Sequence, residues 1–444
     1  MTTQLSEKPT ADPCPEPSAQ RWSGVTKIAF RFSFVYFGLF CLLFAQITFA
    51  FAGIVGRWLP ERAVMWQMTL LEPVLGGVGR VVFGTDVVLH LDSGSGDQAA
   101  IWVMVFCLLV VAVVATAVWS VLDRDRVEYT RLWAWFLTFL RLCVAGQMFF
   151  YGFAKLIPAQ MPAPPLTALL QPYGNLSPAS VLWLQVGSST PYEMALGAVE
   201  VLAGVLMFVP RLATLGALVG LISMAQVFLL NMTFDVPVKI LSGHLLLMSL
   251  VLLAPQVGRL TNIFVLQRPS EPMSQPTLFT GARANRIATT VQVALGIWVM
   301  VGCIFDSWQV WQEYGGGRAK PEHYGIWAVT EFRVDGKPVP PLTTNQTRWQ
   351  RVVFDAPDSV TYQRMNGELV DAPAKIGMDS IALSAPDGAP LADLTVTRPA
   401  PQRLTLAGHL DGRAVQMSLE HVDADGFTLR SRGFNWVQEY PYFR

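Results

Sequence analysis

Residues 99–122 read AAIWVMVFCLLVVAVVATAVWSVL, a run of 24 residues without a charged side chain. About 20 consecutive apolar residues are enough for a helix to cross the hydrocarbon core of a bilayer. Six more windows before residue 306 have the same character. The predicted membrane spans are 27–56, 99–122, 131–157, 191–209, 212–232, 236–254 and 285–305. This pattern predicts a polytopic α-helical membrane protein.

The composition supports this class. Of the 444 residues, 52% are hydrophobic and only 14% are charged, whereas about 25% are charged in soluble domains. The 32 basic residues balance the 32 acidic ones, so no positive surplus favours binding to a phosphate backbone. We therefore predict the lipid bilayer as a partner and no nucleic acid.

The positions of lysine and arginine predict the orientation, because these residues accumulate in short cytoplasmic loops. Placing the N-terminus in the cytoplasm leaves only Arg57, Arg62 and Arg80 in the opposite short loops. The cytoplasmic segments then hold twelve basic residues: Lys8, Arg21, Lys27, Arg31, Arg124, Arg126, Arg131, Arg211, Arg259, Arg268, Arg283 and Arg286. Seven spans place the region after residue 305 on the periplasmic or extracellular side of a bacterial inner membrane.

The pattern changes near Tyr324, where short alternating runs begin. Turn dipeptides such as Asp387-Gly388 and Asp411-Gly412 separate these runs. Besides the run beginning at Tyr324, the predicted strands are 349–354, 359–364, 380–384, 391–397, 403–407, 414–421 and 426–431. Strands at this spacing predict an all-β, small barrel-like extramembrane domain over about 320–444. We expect the closing segment to pack against this barrel.

The remaining chain divides by charge and hydropathy. Residues 1–26 form a polar cytoplasmic tail, and two spans within 27–130 flank an external segment that we interpret as interfacial or re-entrant. The next four spans form a membrane core over 131–260. A cytoplasmic linker at 261–284 leads to the last span at 285–305.

Three ionisable residues are predicted at similar depth in the core. Arg141, Glu200 and His244 each lie about ten residues from the inner end of a span, or about 15 Å at 1.5 Å per residue. Charged groups in a membrane are costly and are functional candidates by default. These three are therefore the candidate catalytic residues.

A second polar layer is predicted in the outer half of the same spans. Asp235 and Lys239 have i, i+4 spacing, although Pro237 between them argues against one continuous helix. The layer comprises Lys155, Glu193, Gln226, Asn231, Asp235 and Lys239.

Helical periodicity predicts that these groups face inward. One stripe, in the fourth span, is formed by Glu193, Gly197, Glu200 and Gly204. A matching stripe, in the third, is formed by Arg141, Ala145, Met148, Gly152 and Lys155. Small residues allow close helix packing. An ion pair between Arg141 and Glu200 that only fixes helix register remains an equal alternative to a catalytic role.

The sequence offers no metal motif. It contains no H-x-x-x-H, E-x-x-H or C-x-x-C pair, and only His244 among the histidines lies within a span. Four cysteines are scattered singly over four spans, and Cys14 lies in the N-terminal tail. No certain cofactor is indicated, and any electron transfer would need a bound quinone or a redox partner. His244 is expected either to exchange protons or simply to hydrogen-bond a neighbour.

Three segments resemble the DoxX-like family of membrane proteins. The first runs from Arg141 to YGFAKL at 151–156, the second from Glu200-x-x-x-Gly204 to Pro210-Arg211, and the third is SGHLLLM at 242–248 with Ala254-Pro255. Together they cover about 130–260. The ending at 429–444 is similar to that of longer bacterial members that carry an added β domain.

This resemblance implies a DoxX-like four-helix bundle, here with three additional spans, and association with membrane redox complexes such as thiosulfate:quinone oxidoreductase. We therefore expect a quinone- or lipid-interacting subunit of a redox or envelope-maintenance complex. Two other classes remain open. The polar layers are also compatible with a transporter or proton-coupled permease, and the outer domain with a membrane-anchored binding or scaffold protein.

Overall fold

The computed structural model describes residues 21–273 and 275–443. Most of the predicted cytoplasmic tail therefore lies outside the described residues. The chain forms two compact units. The first contains the described residues up to Phe150 together with Glu200–Asn231 and Pro237–Gly302, and the second contains Tyr151–Val199, Met232–Val236 and the residues from Cys303 onward.

The helices follow the predicted spans closely. In chain order they are α1 Gly24–Leu43, α2 Ala45–Phe49, α3 Glu61–Val64, α4 Trp66–Val78, α5 Ala99–Leu122, α6 Thr130–Leu156, α7 Pro178–Gly187, α8 Thr190–Phe208, α9 Ala213–Thr233, α10 Lys239–Leu253, α11 Val257–Phe264, α12 Ala282–Glu313 and α13 Thr428–Ser431. In the described part of the chain, seven helices are long and apolar enough to cross a membrane. The protein is therefore a membrane protein with seven candidate spans.

The first predicted span, 27–56, is wrong in its length. Helix α1 ends at Leu43 because Phe44 adopts an extended backbone with φ −79° and ψ 102°. A second break follows at Gly53, whose φ of +57° lies in the left-handed region. This region favours glycine. Hydropathy detects apolar character but not such backbone breaks.

The glycine stripe of α8 packs against α6 as predicted. A Cβ atom on Gly204 would lie 2.6 Å from the ring of Phe149 and 3.2 Å from the carbonyl oxygen of Ala145. In the second unit, a Cβ on Gly197 would lie 2.6 Å from the carbonyl oxygen of Gly152. Glycine is thus required for this close helix contact.

The external segment after residue 60 is helical in its first half. Helix α4 continues into a wider helical turn, Gly79–Phe83. Its apolar side chains include exposed Leu70, Val74 and Val81. Exposed apolar side chains on both α4 and this turn are what an interfacial or re-entrant element requires.

The C-terminal domain is a closed antiparallel barrel. Its strands are β1 Gly325–Val334, β2 Lys337–Pro338, β3 Trp349–Ala356, β4 Ser359–Arg364, β5 Leu369–Ile376, β6 Ser380–Ser384, β7 Pro390–Ala400, β8 Arg403–Leu410 and β9 Arg413–Val422. Pairing of β1 with β9 closes a ring of eight strands, and the short β2 pairs with β1 outside that ring. Ring closure removes the exposed strand edges.

Side chains fill the barrel interior. Trp327 and Trp349 are 1% and 3% exposed, and they pack with Phe332, Phe354 and Met417 in one apolar core. This confirms the predicted barrel. A packed core supplies its stability through apolar burial.

Two strand predictions are wrong. Residues 426–431 contain the short helix α13 rather than a strand. Strand β5 was missed because its inward positions carry the small residues Ala372 and Ala374 and because proline is unusual within a strand, although Pro373 pairs with Ser359. The closing segment also does not pack on the barrel as expected, since Trp436 is 90% exposed.

Replacing Gly302 should destabilise the helical unit. Its Cβ would lie 2.5 Å from the Cα of Gly53. Gly302→Ala should therefore lower the free energy of unfolding by about 1–3 kcal/mol, as overpacking does. Thermal unfolding in detergent measures this change. Gly77→Ala is the control, because nothing lies within 4 Å of the added Cβ. Equal melting of the two variants would contradict the close approach.

Candidate functional site

An aromatic ladder runs along α1, and the ring of His244 is inserted into it. Its ring side chains recur every four residues and so lie on one face of α1 and its C-terminal end: Phe32, Tyr36, Phe40 and Phe44. The His244 ring, from α10, lies parallel to Phe40 with centroids 3.8 Å apart and an interplanar angle of 6°. The Tyr36 ring lies 5.7 Å from the His244 ring, at an interplanar angle of 24°. His244 thus joins two helices of the first unit by ring stacking.

Both ring nitrogens of His244 are hydrogen-bonded. Nδ1 lies 2.6 Å from the carbonyl oxygen of Ile240, one turn earlier in α10. A carbonyl only accepts, so Nδ1 carries the proton and donates. Nε2 is then the acceptor in neutral histidine, and the Tyr36 hydroxyl, 2.8 Å away, donates to it. The result is an oriented tyrosine–histidine couple in which Tyr36 and His244 are each 8% exposed.

Arg141 makes hydrogen bonds to two other helices. Its Nη1 donates to the carbonyl oxygen of Met207, 2.7 Å away. That carbonyl lies in the last turn of α8, where helix carbonyls lack intrahelical donors. Its Nη2 donates to Oε1 of Gln292 in α12. Arg141 therefore links α6, α8 and α12.

The expected ion pair between Arg141 and Glu200 is replaced by these bonds. Gly204 lies beside Ala145, and the helices are antiparallel, so Glu200 is level with Phe149. It is thus about eight residues, or about 12 Å, from the level of Arg141. The sequence placed both at one depth because it assumed that α6 and α8 begin and end together. Glu200 is nevertheless buried, at 2% exposed.

Lys155 and Glu193 come together in the second unit, as the second polar layer predicted. They interact electrostatically and are 6% and 1% exposed. Glu193 Oε1 also accepts a hydrogen bond from the backbone N–H of Met161 at 2.8 Å. The pair ties the start of α8 to the segment that follows α6.

The other predicted members of the layer are dispersed. Asn231 is buried, and its amide donates to Ser242 Oγ at 3.0 Å. Gln226 is exposed on the face of α9 that carries Ile222, so its inward orientation was wrong. Asp235 lies outside any helix with φ +53°, and Lys239 begins α10, so the two do not share a helix.

Asp97 forms hydrogen bonds with the start of α10, a role that no pattern in the sequence indicated. Its carboxylate accepts from the backbone N–H groups of Lys239 and Ile240 at 2.8 and 2.9 Å. It also lies 3.7 Å from Lys239 Nζ. Val238, at the cap position, has no side-chain acceptor, so Asp97 supplies the N-cap from a distant loop.

A separate polar cluster, formed by Arg31, Asp123 and Tyr129, lies at the end of α5. The Arg31 guanidinium donates to the hydroxyl of Tyr129 at 2.6 Å and to the carbonyl oxygen of Asp123 at 2.9 Å. Tyr129 in turn donates to the Asp123 carboxylate at 2.7 Å. This bond from Tyr129 lowers the pKa of Asp123 below its usual value.

Comparison with known proteins gives one informative match. The chain is 32% identical over 133 residues to the uncharacterized protein YwoB of Bacillus subtilis (strain 168). The alignment covers 28% of this chain and 79% of YwoB. The chain belongs to the same family as YwoB. The region shared with YwoB is too short to contain both the seven spans and the barrel. No family model and no solved structure matches the chain.

The partners of His244 had a signal in the sequence. The four-residue period of the ring side chains in α1 marks a helix face, and Tyr36 is the polar member of that face. Nothing in the sequence indicates which helix this face contacts. Gln292 and Asp97 had no comparable signal, because no periodic pattern singled out either residue; each pairs with a residue more than 140 positions away.

Removal of the Asp97 carboxylate should weaken the start of α10. Asp97→Ala should cost about 0.5–2 kcal/mol in unfolding free energy, as other lost N-caps do, and Asp97→Asn should cost less because one acceptor oxygen remains. Hydrogen exchange at Lys239 and Ile240 reports the local effect. The control is Asp92→Ala in the same loop, where Asp92 is exposed. Unchanged exchange in Asp97→Ala would refute the cap.

The Asp123 cluster should make stability depend on pH. Because folding lowers the pKa of Asp123, its stabilisation is present above the ordinary aspartate value of about 3.9 and is lost as pH falls below it. The melting temperature of wild type should exceed that of Asp123→Asn at pH 7, and this difference should shrink progressively as pH falls below about 3.9. If the difference in melting temperature stays constant across this pH range, the charge of the Asp123 carboxylate does not contribute to stability.

Proposed function

We propose that this protein is a DoxX-like, quinone-interacting subunit of a redox complex in the bacterial inner membrane. The observation that carries the proposal is the Tyr36–His244 couple within the aromatic ladder. The resemblance to DoxX-like proteins supports quinone as the ligand class. The distribution of basic residues supports a cytoplasmic N-terminus and a barrel on the outer side.

The hydrogen-bond directions favour uptake of a proton from a quinol. The Tyr36 hydroxyl already donates to Nε2, so its oxygen has lone pairs left to accept a new donor. A proton received at this oxygen can be matched by transfer of the tyrosine proton to Nε2. The resulting imidazolium keeps its Nδ1–H bond to the carbonyl of Ile240. Histidine is suited to such an exchange near neutral pH.

The ladder also fits the shape of a quinone head group. Flat aromatic faces stack in offset or parallel arrangements, and the Phe32 ring lies beside Tyr36 at 5.6 Å and 8°. The couple itself moves only protons. We therefore assign the electrons to a partner redox subunit, as the family resemblance implies.

Two conservative variants test this proposal. Tyr36→Phe and His244→Phe keep a ring in each position but remove the hydrogen bond between them. Tyr36→Phe removes the oxygen that accepts from the quinol and should weaken quinol binding about tenfold, the effect of one hydrogen bond of about 1–1.5 kcal/mol. His244→Phe removes the acceptor of the Tyr36 hydroxyl, which is then no longer oriented, and should also weaken quinol binding. Quinone binding should change less in both variants. Titration of purified protein with short-chain quinol and quinone analogues measures both affinities.

The matched control for these variants is Gln226→Leu. Gln226 is polar and within a span, but it is exposed and remote from the ladder. Its variant should bind quinol as wild type does. Absence of quinol binding by wild type, or equal binding by all four proteins, would overturn the proposal.

A permease would need an irregular segment, such as the break between α9 and α10, to line a cavity. The backbone at this break is instead bound by the loop before α5. Asp97 accepts from Lys239 and Ile240, and the N–H of Gly96 donates to the carbonyl oxygen of Pro237 at 2.9 Å. These hydrogen bonds favour a structural role for the segment, so we rank transport as the second candidate function.

A further inference from the structure

A crevice of about 480 Å³ lies within the second unit. One wall is the proline-rich loop 162–165, and another contains Ser188 and Thr190. Opposite them lie Tyr314 and the segment that leads to Tyr324 of the barrel domain. Proline, tyrosine and leucine side chains make part of this lining apolar.

The crevice is built from the ends of three membrane-spanning helices. Loop 162–165 begins six residues after the end of α6, Thr190 is the first residue of α8, and Tyr314 directly follows α12. Four spans separate the start of α8 from the end of α12, and an even number returns the chain to the same face. The helix ends that line the crevice therefore lie on the same face of the membrane.

The charged side chains of the crevice are mainly basic. They are Arg318, Lys320 and Arg430 against Asp355 and Asp425. Both oxygens of Asp355 are already hydrogen-bonded: one accepts from Arg318 Nη2 at 2.6 Å and the other from the N–H of Leu166 at 2.9 Å. This ion pair engages one guanidinium nitrogen of Arg318 and leaves its other donors for a ligand.

Lys320 is the most available of the three cations. It is exposed, and its ammonium lies 4.5 Å from the centre of the Tyr324 ring. Arg430 also lines the crevice, and its guanidinium lies 3.5 Å from the exposed carboxylate of Asp425. Three cations with two carboxylates leave one net positive charge facing a partly apolar wall.

We propose that this crevice binds the phosphodiester of an anionic phospholipid head group. Lysine and arginine are the usual partners of phosphate oxygens. The apolar wall of 162–165 suits the glycerol portion that adjoins the phosphate. A bound lipid would hold the barrel domain against the membrane surface and act as a specific anchor.

The test uses the full-length protein, delipidated in detergent. Phosphatidylglycerol and phosphatidylcholine are titrated separately, and bound lipid is counted by native mass spectrometry. Wild type should prefer phosphatidylglycerol. The double variant Lys320→Gln, Arg430→Gln should lose about 25-fold in affinity for it, or about fivefold for each charge.

Two matched variants control for fold and for charge. Lys337→Gln removes an exposed cation from β2 of the same domain, outside the crevice, and should bind as wild type. Lys320→Arg with Arg430→Lys keeps both charges and should restore most of the affinity. Recovery of the affinity in this charge-keeping variant would show that the double glutamine variant lost phosphate contacts rather than its fold.

The proposal is overturned if wild type binds both lipids equally or if the double variant retains its affinity. Soluble glycerol phosphate is added as a competitor to identify the source of the phosphate. If glycerol phosphate displaces the lipid only when its concentration is far above that of the lipid, the result supports a membrane ligand. Displacement at equal concentration would assign the crevice to soluble phosphate esters and reject the lipid anchor.

Discussion

The hydrocarbon core of a membrane offers no water, so each polar side chain within it must find its partner in the protein. This constraint organises the helical unit. Arg141 reaches the end carbonyl of α8, Asn231 bonds Ser242, and His244 uses both ring nitrogens. Each bond joins separate elements or fixes a side chain on its own helix. The polar residues that look like a reaction centre in the sequence are therefore also the ties between helices.

The same constraint separates the two residues that were expected to form an ion pair. Close packing through Gly204 fixes the register of α8 on α6, and this register sets Arg141 and Glu200 at different levels. Arg141 then satisfies a backbone carbonyl that the end of α8 leaves without a donor. His244 has a side-chain partner with an exchangeable hydroxyl proton, namely Tyr36. This couple is why the proposed chemistry is centred on α1 and α10.

Local periodicity predicted most of the architecture. Apolar run length located the seven helices, and alternation with Asp-Gly turns located most barrel strands; at Asp411 and Gly412 both φ angles are positive, as a tight hairpin requires. The failures have physical causes. Backbone breaks at Phe44 and Gly53 carry no hydropathy signal, and in β5 the small Ala372 and Ala374 point inward beside a proline at 373, a residue that argues against a strand. Burial of Arg141, Glu200 and His244 was predictable, whereas their partners depend on long-range packing.

The central claim is that His244 is neutral, protonated at Nδ1, and accepts a hydrogen bond from Tyr36 at Nε2. Solid-state NMR of protein labelled with ¹⁵N-histidine in lipid bilayers measures this directly, with His244→Phe identifying the signal. The account predicts a neutral Nδ1–H tautomer, with an Nε2 resonance that shifts in Tyr36→Phe. An Nε2–H tautomer, or a resonance indifferent to Tyr36, would contradict it.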